Sequence, residues 1–214
     1  VSHVYLDAHS YITAQKIKTN FPNIYEQALK VGVDMTRDLL PVVPAAHYAC
    51  GGIWVDEWGR TTLNHFYATG EVACTGVHGA NRLASTSLME GVVWAFRTAE
   101  EIKRSITDIR KADPSKYPLW QDEGHELPDP VLIKQDMSFI KHIMWNYVGL
   151  VRTKHRLQRA LRELRNLENE IERFYRVARL TDELIGLRNA VRTAIIVTSS
   201  AWSNKQSMGC HYRE

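Results

Sequence analysis

The sequence predicts an α+β chain, mostly helical, that closes on an antiparallel three-helix bundle. Three observations carry this expectation. The last third repeats apolar residues at helical spacing in three successive stretches. A further helix with an apolar first half starts at Ser87. The strand candidates are short and confined to the first part of the chain.

Taken in order, Val4-Tyr5-Leu6 reads as a strand. Ala14 to Val31 carries apolar residues at Ile17, Ile24, Ala28, Leu29 and Val31. Pro22 divides that run into a short helix and a second one that begins at the proline, whose missing N–H does no harm in a first turn. Gly32 is a natural stop. Pro41-Val42-Val43-Pro44 opens a new region. There Ile53-Trp54-Val55, the turn residues Asp56 to Gly59, and Arg60-Thr61-Thr62 predict a hairpin. Asn64 to Thr69 predicts another strand, through Phe66-Tyr67-Ala68, ending at Gly70-Glu71.

The helix from Ser87 to Arg104 is apolar nearly all round from Leu88 to Phe96, which predicts burial on most sides. Residues 106–130 hold Pro114, Pro118, Pro128 and Pro130 with little periodicity, and read as a linker laid over a surface. Three helical stretches follow. The first places Met137, Ile140, Met144, Tyr147, Val148 and Val151 on one face. The second does so with Leu157, Leu161, Leu164, Leu167, Ile171 and Phe174. The third does so with Leu184, Leu187, Val191, Ala194, Ile195 and Thr198. Short connections make neighbouring helices antiparallel. Gly186, inside the third helix, predicts a close helix contact.

Composition narrows the function classes. The 214 residues suit one or two compact units, at roughly 100–200 residues per domain. Hydrophobic residues make up 44% and charged residues 24%, an ordinary globular balance. A net charge of +3 gives no footprint for nucleic acid or a membrane surface. Cys50, Cys74 and Cys210 are widely spaced and form no zinc pattern, which points to a reduced, cytoplasmic setting. No H-E-x-x-H or H-x-H spacing suggests a metal. The chain opens at Val1 in a strand and stops at Glu214, as expected of a piece of a longer protein.

The densest chemistry lies in Gly70-Glu71-Val72 and His78-Gly79-Ala80-Asn81-Arg82-Leu83-Ala84-Ser85-Thr86-Ser87-Leu88. Small residues let backbone press against a flat ligand. A helix N-terminus offers unpaired N–H groups to an electron-rich edge. Arg82 offers a fork that matches a carboxylate, or else a structural ion pair. The combination suggests a flavin on one side and a carboxylic acid on the other. Ser85, Thr86 and Ser87 also read as plain N-capping residues. His47 is either a donor to an anion or a histidine tied to a backbone carbonyl. His78 reads as a structural loop residue. Arg152, Lys154, Arg156, Arg159, Arg162 and Arg165 invite a nucleic-acid reading, but interleaved Glu163, Glu168, Glu170 and Glu172 make a solvated face the better one, with Glu172 and Arg176 as an i,i+4 pair.

Three runs carry a resemblance. They are Pro44-Ala45-Ala46-His47-Tyr48-Ala49-Cys50-Gly51-Gly52, Tyr67-Ala68-Thr69-Gly70-Glu71, and His78-Gly79-Ala80-Asn81-Arg82. Together they resemble the succinate dehydrogenase/fumarate reductase flavoprotein superfamily. Cys50 and Ala84-Ser85-Thr86-Ser87-Leu88-Met89-Glu90 are similar to its L-aspartate oxidase branch, and Gln206 to Glu214 resembles the superfamily's C-terminal ending, with Met208 where an arginine is usual. The resemblance implies that residues 1–43 end a capping domain and residues 44–106 close an FAD-binding α/β domain. It makes 107–129 a linker, 130–203 the helical bundle and 204–214 a tail.

The same resemblance implies hydride transfer from L-aspartate to non-covalent FAD, yielding iminoaspartate for quinolinate and NAD biosynthesis. Oxygen or fumarate would reoxidise the flavin, and quinolinate synthase would be a partner. His47 and Arg82 are the expected substrate ligands. Glu71 is expected to hold FAD through the ribityl chain, and the Ser87 and Leu88 backbone to meet the isoalloxazine edge. The pyrophosphate-binding glycine loop and the proton-accepting arginine of the family are expected upstream of Val1, so the chain alone is expected to be inactive. The alternatives are a succinate dehydrogenase or fumarate reductase flavoprotein subunit, and a non-catalytic helical interaction module.

Overall fold

The computed structural model describes residues 3–45, 47–119, 121 and 124–214. Ala46 of the first motif and Trp120, Asp122 and Glu123 of the expected linker lie outside the described residues. The chain divides into two compact units, Val1–Ala49 and Cys50–Glu214. Helices make up about half of it and strands are few.

In the first unit, β1 (Val4–Leu6) pairs antiparallel with β2 (Leu40–Val42), Tyr5 opposite Pro41. Between them run α1 (Ala14–Asn20) and α2 (Pro22–Lys30). The Thr13 side chain accepts from the Lys16 N–H and starts α1. The proline break falls where the sequence places it. Gly32 takes φ +83 and donates to Leu29 O, ending α2. Ile17 is fully buried among Ala8 and Met35, with Ile12, Tyr25, Ala28 and Leu40 packed around it. The strand at Leu40–Val42 was not legible, because Pro41 removes a ladder donor; it survives in a two-stranded ribbon, where every strand is an edge.

In the second unit, β3 (Ile53–Trp54) pairs parallel with β4 (Ala73–Cys74), and Val55 N donates to Cys74 O. This corrects the expected hairpin. The Asp56 carboxylate accepts from the N–H groups of Trp58 and Arg60 and closes a local turn, leaving β3 to pair with residues further along. The expected strand at 64–69 reduces to a single bridge between Arg60 and Tyr67. Gly70–Val72 is one turn of 3-10 helix, so Glu71 stands in a turn and not at a strand end. Gly52 (φ +136) must be glycine, since a Cβ there would strike the Val72 carbonyl.

Helix α3 (Ser87–Ser105) lies on a small core of Val55, Ala68 and Ala73 through Trp94. Trp94 Nε1 donates to Asp56 O, Thr98 Oγ1 donates to Trp58 O, and Arg60 pairs with Glu101. The expected burial on most sides is not found. Leu88 is 84% and Phe96 69% exposed, while the buried residues of α3 are Glu90 and Thr98. The physical reason is that the small core touches α3 along one stripe only.

After two further 3-10 turns come α4 (Pro130–Val148), β5 (Val151–Arg152), α5 (Lys154–Val177), α6 (Asp182–Ser203) and β6 (Tyr212–Arg213). Asp129, Thr153 and Thr181 accept from first-turn N–H groups and start the three helices. All three share one core, in which Ile143, Leu157, Leu164, Ile171, Leu184, Leu187 and Val191 are buried almost completely. Gly186 is exposed with nothing near its Cα, which corrects the expected close contact. Glu172 pairs across helices with Arg188 and Arg192 and not along α5 with Arg176. The tail folds back: β6 pairs parallel with β5, and Arg213 donates to Trp202 O and Asn204 O at the end of α6, where a cation suits the helix dipole.

Candidate active site

The loop from Thr75 to Thr86 is built from turns that ordinary residues resist. Gly76 (φ +82), Gly79 (φ +57) and Ser85 (φ +65) all take left-handed backbone. One buried cluster pins this loop to α3. Glu90 is 4% exposed and His78 9%. Thr75 Oγ1 donates to Glu90 Oε1 at 2.6 Å, and His78 Nε2 lies 2.8 Å from Glu90 Oε2. The Leu83 N–H donates to His78 Nδ1 at 3.3 Å. An amide can only donate, so Nδ1 holds the lone pair and Nε2 carries the proton that Glu90 accepts. His78 is therefore the loop anchor the sequence suggested. Its partner Glu90 was missed. The available signal was a lone carboxylate inside the apolar run from Leu88 to Phe96.

Arg82 follows on this pinned loop and is half-buried. Its Nε donates to Ser87 Oγ at 2.8 Å, which orients the guanidinium beside the start of α3. Thr86 Oγ1 turns to Leu83 O at 2.7 Å, and the N-cap position of α3 makes no side-chain capping bond. The plain N-capping reading of Ser85 to Ser87 is thus not met, and the start of α3 has no side-chain cap from its N-cap residue. Gly70 lies against Gly91 of α3, so the Glu71 turn and the helix entry adjoin. Glu71 itself is exposed. The structure thus brings Glu71, Arg82, Ser87 and Leu88 to one end of α3. His47 is exposed and belongs to the unit that ends at Ala49.

The residues fit a flavin. Gly70, Gly76 and Gly79 have open space over their Cα atoms, so the small residues are not filled by the chain's own side chains. A long helix start with no side-chain cap suits the electron-rich edge of a ring. Among the described residues no group of three or more His, Cys, Asp or Glu side chains could hold a metal, and no helix is long and apolar enough to cross a membrane.

Comparison with known proteins supports the flavin. Residues 1–88 match the family model described as FAD binding domain, and residues 137–214 match the one described as fumarate reductase flavoprotein C-term. The chain belongs to the succinate dehydrogenase/fumarate reductase flavoprotein superfamily. Within it, the chain is similar to the L-aspartate oxidase of Yersinia pestis, at 42% identity over 98% of this chain and 39% of the relative. The L-aspartate oxidase of Halobacterium salinarum is also 42% identical, over 90% of this chain and 37% of the relative. Among solved structures, E. coli quinol fumarate reductase aligns with a TM-score of 0.80 at 28% identity, over 99% of this chain and 38% of that one. The chain spans about two fifths of the length of the relatives it matches.

Proposed function

We propose that this chain is the C-terminal part of an FAD-dependent L-aspartate oxidase. The observation that carries the proposal is the Arg82–Ser87 bond at the uncapped start of α3. A guanidinium held at that helix start supports a site for a dicarboxylate beside a flavin edge. The identity to L-aspartate oxidases exceeds that to fumarate reductase, 42% against 28%, and favours aspartate over succinate. The boundaries 1–43, 44–106, 107–129, 130–203 and 204–214, and the antiparallel bundle over 130–203, belong to the same reading. The exposed apolar face of α3 meets the remainder of the flavin domain in the whole protein.

In that reading Arg82 takes one substrate carboxylate in a bidentate pair, and Ser87 holds the guanidinium plane in place. His47 donates to the second carboxylate. Glu71 holds FAD through its ribityl hydroxyls. The Ser87 and Leu88 N–H groups meet the ring edge, where the positive end of α3 favours added negative charge. The flavin, when bound, supplies the hydride acceptor. Oxygen or fumarate would be the acceptor that restores it, and iminoaspartate would pass toward quinolinate, with quinolinate synthase as partner.

The test is steady-state oxidation of aspartate and of succinate by the whole protein, with and without Arg82→Leu. The proposal expects aspartate to be the substrate. It expects the variant to lose about a thousandfold in kcat/KM, or about 4 kcal/mol at 1.36 kcal/mol per tenfold, while flavin stays bound. Oxidation of succinate instead, or unchanged aspartate kinetics in the variant, would overturn it.

A further inference from the structure

The basic run of α5 holds two kinds of arginine. Arg159 pairs with Glu163 at 2.6 Å and lies over the Tyr147 ring. Arg162 and Arg165 are exposed, and among the described residues no carboxylate pairs with either. They stand about one turn apart, where like charges repel. Both border a cavity of about 330 Å³, whose other walls are Gln158, Leu161 and Asn166 of α5 and Trp202 near the end of α6. The five α5 residues follow one another at three- and four-residue steps, so a single helix face supplies them. Trp202 is partly buried against the helical core. Arg213 of the tail fixes it: its Nη1 donates to Trp202 O at 2.8 Å, and its guanidinium lies 5.7 Å from the centre of the indole.

The geometry points to a binding site for a small phosphate monoester that carries a flat ring. The phosphate lies between Arg162 and Arg165, and the ring lies against Leu161 and Trp202. Guanidinium forks match phosphate oxygens. A phosphate monoester brings close to two negative charges at neutral pH, which balances two arginines where a single carboxylate does not. The Gln158 and Asn166 amides can donate to further oxygens, and indole and leucine offer an apolar wall to a ring. The volume falls at the small end of ligand pockets, roughly 300–1,000 Å³. None of these six residues serves substrate or flavin in the function proposed above, so the inference stands whether or not that reading holds.

The test is isothermal titration calorimetry of the 214-residue chain with phenyl phosphate and with inorganic phosphate, in one phosphate-free buffer of low salt. Phenyl phosphate is expected to bind at one site, about tenfold tighter than inorganic phosphate, because its ring is buried as well. Arg162→Gln and Arg165→Gln should each weaken phenyl phosphate about tenfold. Both arginines are exposed, so neither substitution disturbs the fold. Arg159→Gln removes the same charge from the same helix and should leave binding unchanged. No binding of phenyl phosphate, or binding no tighter than that of inorganic phosphate, would overturn the inference. So would an equal loss in Arg159→Gln, which would mean a diffuse basic face and not a site.

Discussion

The three C-terminal helices and the segment around Arg82 belong to one compact unit, yet they are held together by different forces. Helices α4, α5 and α6 enclose a dry core of Ile, Leu and Val side chains that are almost fully buried. The segment from Cys50 to Ser105 has a core of three small residues, and α3 leaves Leu88, Met89, Val92 and Phe96 in solvent. What fixes its loop is polar: the His78–Glu90–Thr75 cluster, the Asp56 turn and the Arg60–Glu101 pair. Apolar burial is non-directional and tolerates small shifts, whereas hydrogen bonds set angles. In the proposed function this loop aims Arg82, a task better served by the second kind of support.

The comparison can be broken by mutation, and the largest effect belongs in the helical core. Leu187→Ala should cost about 3 kcal/mol, which lowers the Tm by roughly 6–12 °C for a unit of this size. Leu88→Ala on the exposed face of α3 should stay within about 0.5 kcal/mol. Equal losses at the two leucines, measured by thermal melting, would end the distinction.

Glu90→Ala sharpens the polar half of the contrast. It leaves His78 and Thr75 without their buried acceptor and should cost about 2–3 kcal/mol. Hydrogen exchange at the Leu83 amide should speed up, while exchange in α5 and α6 stays slow. A uniform loss across the unit would mean that the loop is not separately anchored.

A smaller effect is expected at Glu172. Hydrogen bonding to Arg188 and the nearby charges of Arg188 and Arg192 hold its carboxyl below its ordinary value of 4.5. Its contribution is therefore complete above that ordinary value and is lost as pH falls through the lowered one. Because the pair is partly exposed, Glu172→Gln should cost about 1 kcal/mol at neutral pH, and the difference from the unaltered chain should vanish in acid. A gap that persists in acid contradicts the ion-pair account. Least of all, Gly186→Ala should stabilise α6 by up to about 1 kcal/mol, since a Cβ at that exposed position meets nothing. A fall in Tm would restore the close contact that the sequence suggested.

The helices were legible because their apolar period is strong and local. Pro22 and Gly32 marked their boundaries directly. The strands were not, because pairing depends on residues far away: Ile53-Trp54 looks like half of a hairpin until Ala73-Cys74 arrives beside it. The apolar run of α3 predicted burial, but periodicity cannot say whether a partner surface is present in the same chain. At the site, Arg82 and Ser87 were singled out by type and position, and the bond between them is a fact of the fold. Glu90 was hidden by its apolar neighbours. The meeting of Cys210 with Ala80 depended on a tail that gives no periodic signal at all.

The central claim is that this chain supplies one part of a flavin site, completed by the remaining portion that its relatives carry. The most direct measurement is a titration of FAD, followed by quenching of flavin fluorescence, on the chain alone, on the remaining portion alone, and on the two combined. The account predicts quenching on combination, with aspartate then reducing the bound flavin. Two folded pieces that leave flavin fluorescence unchanged when mixed would contradict it.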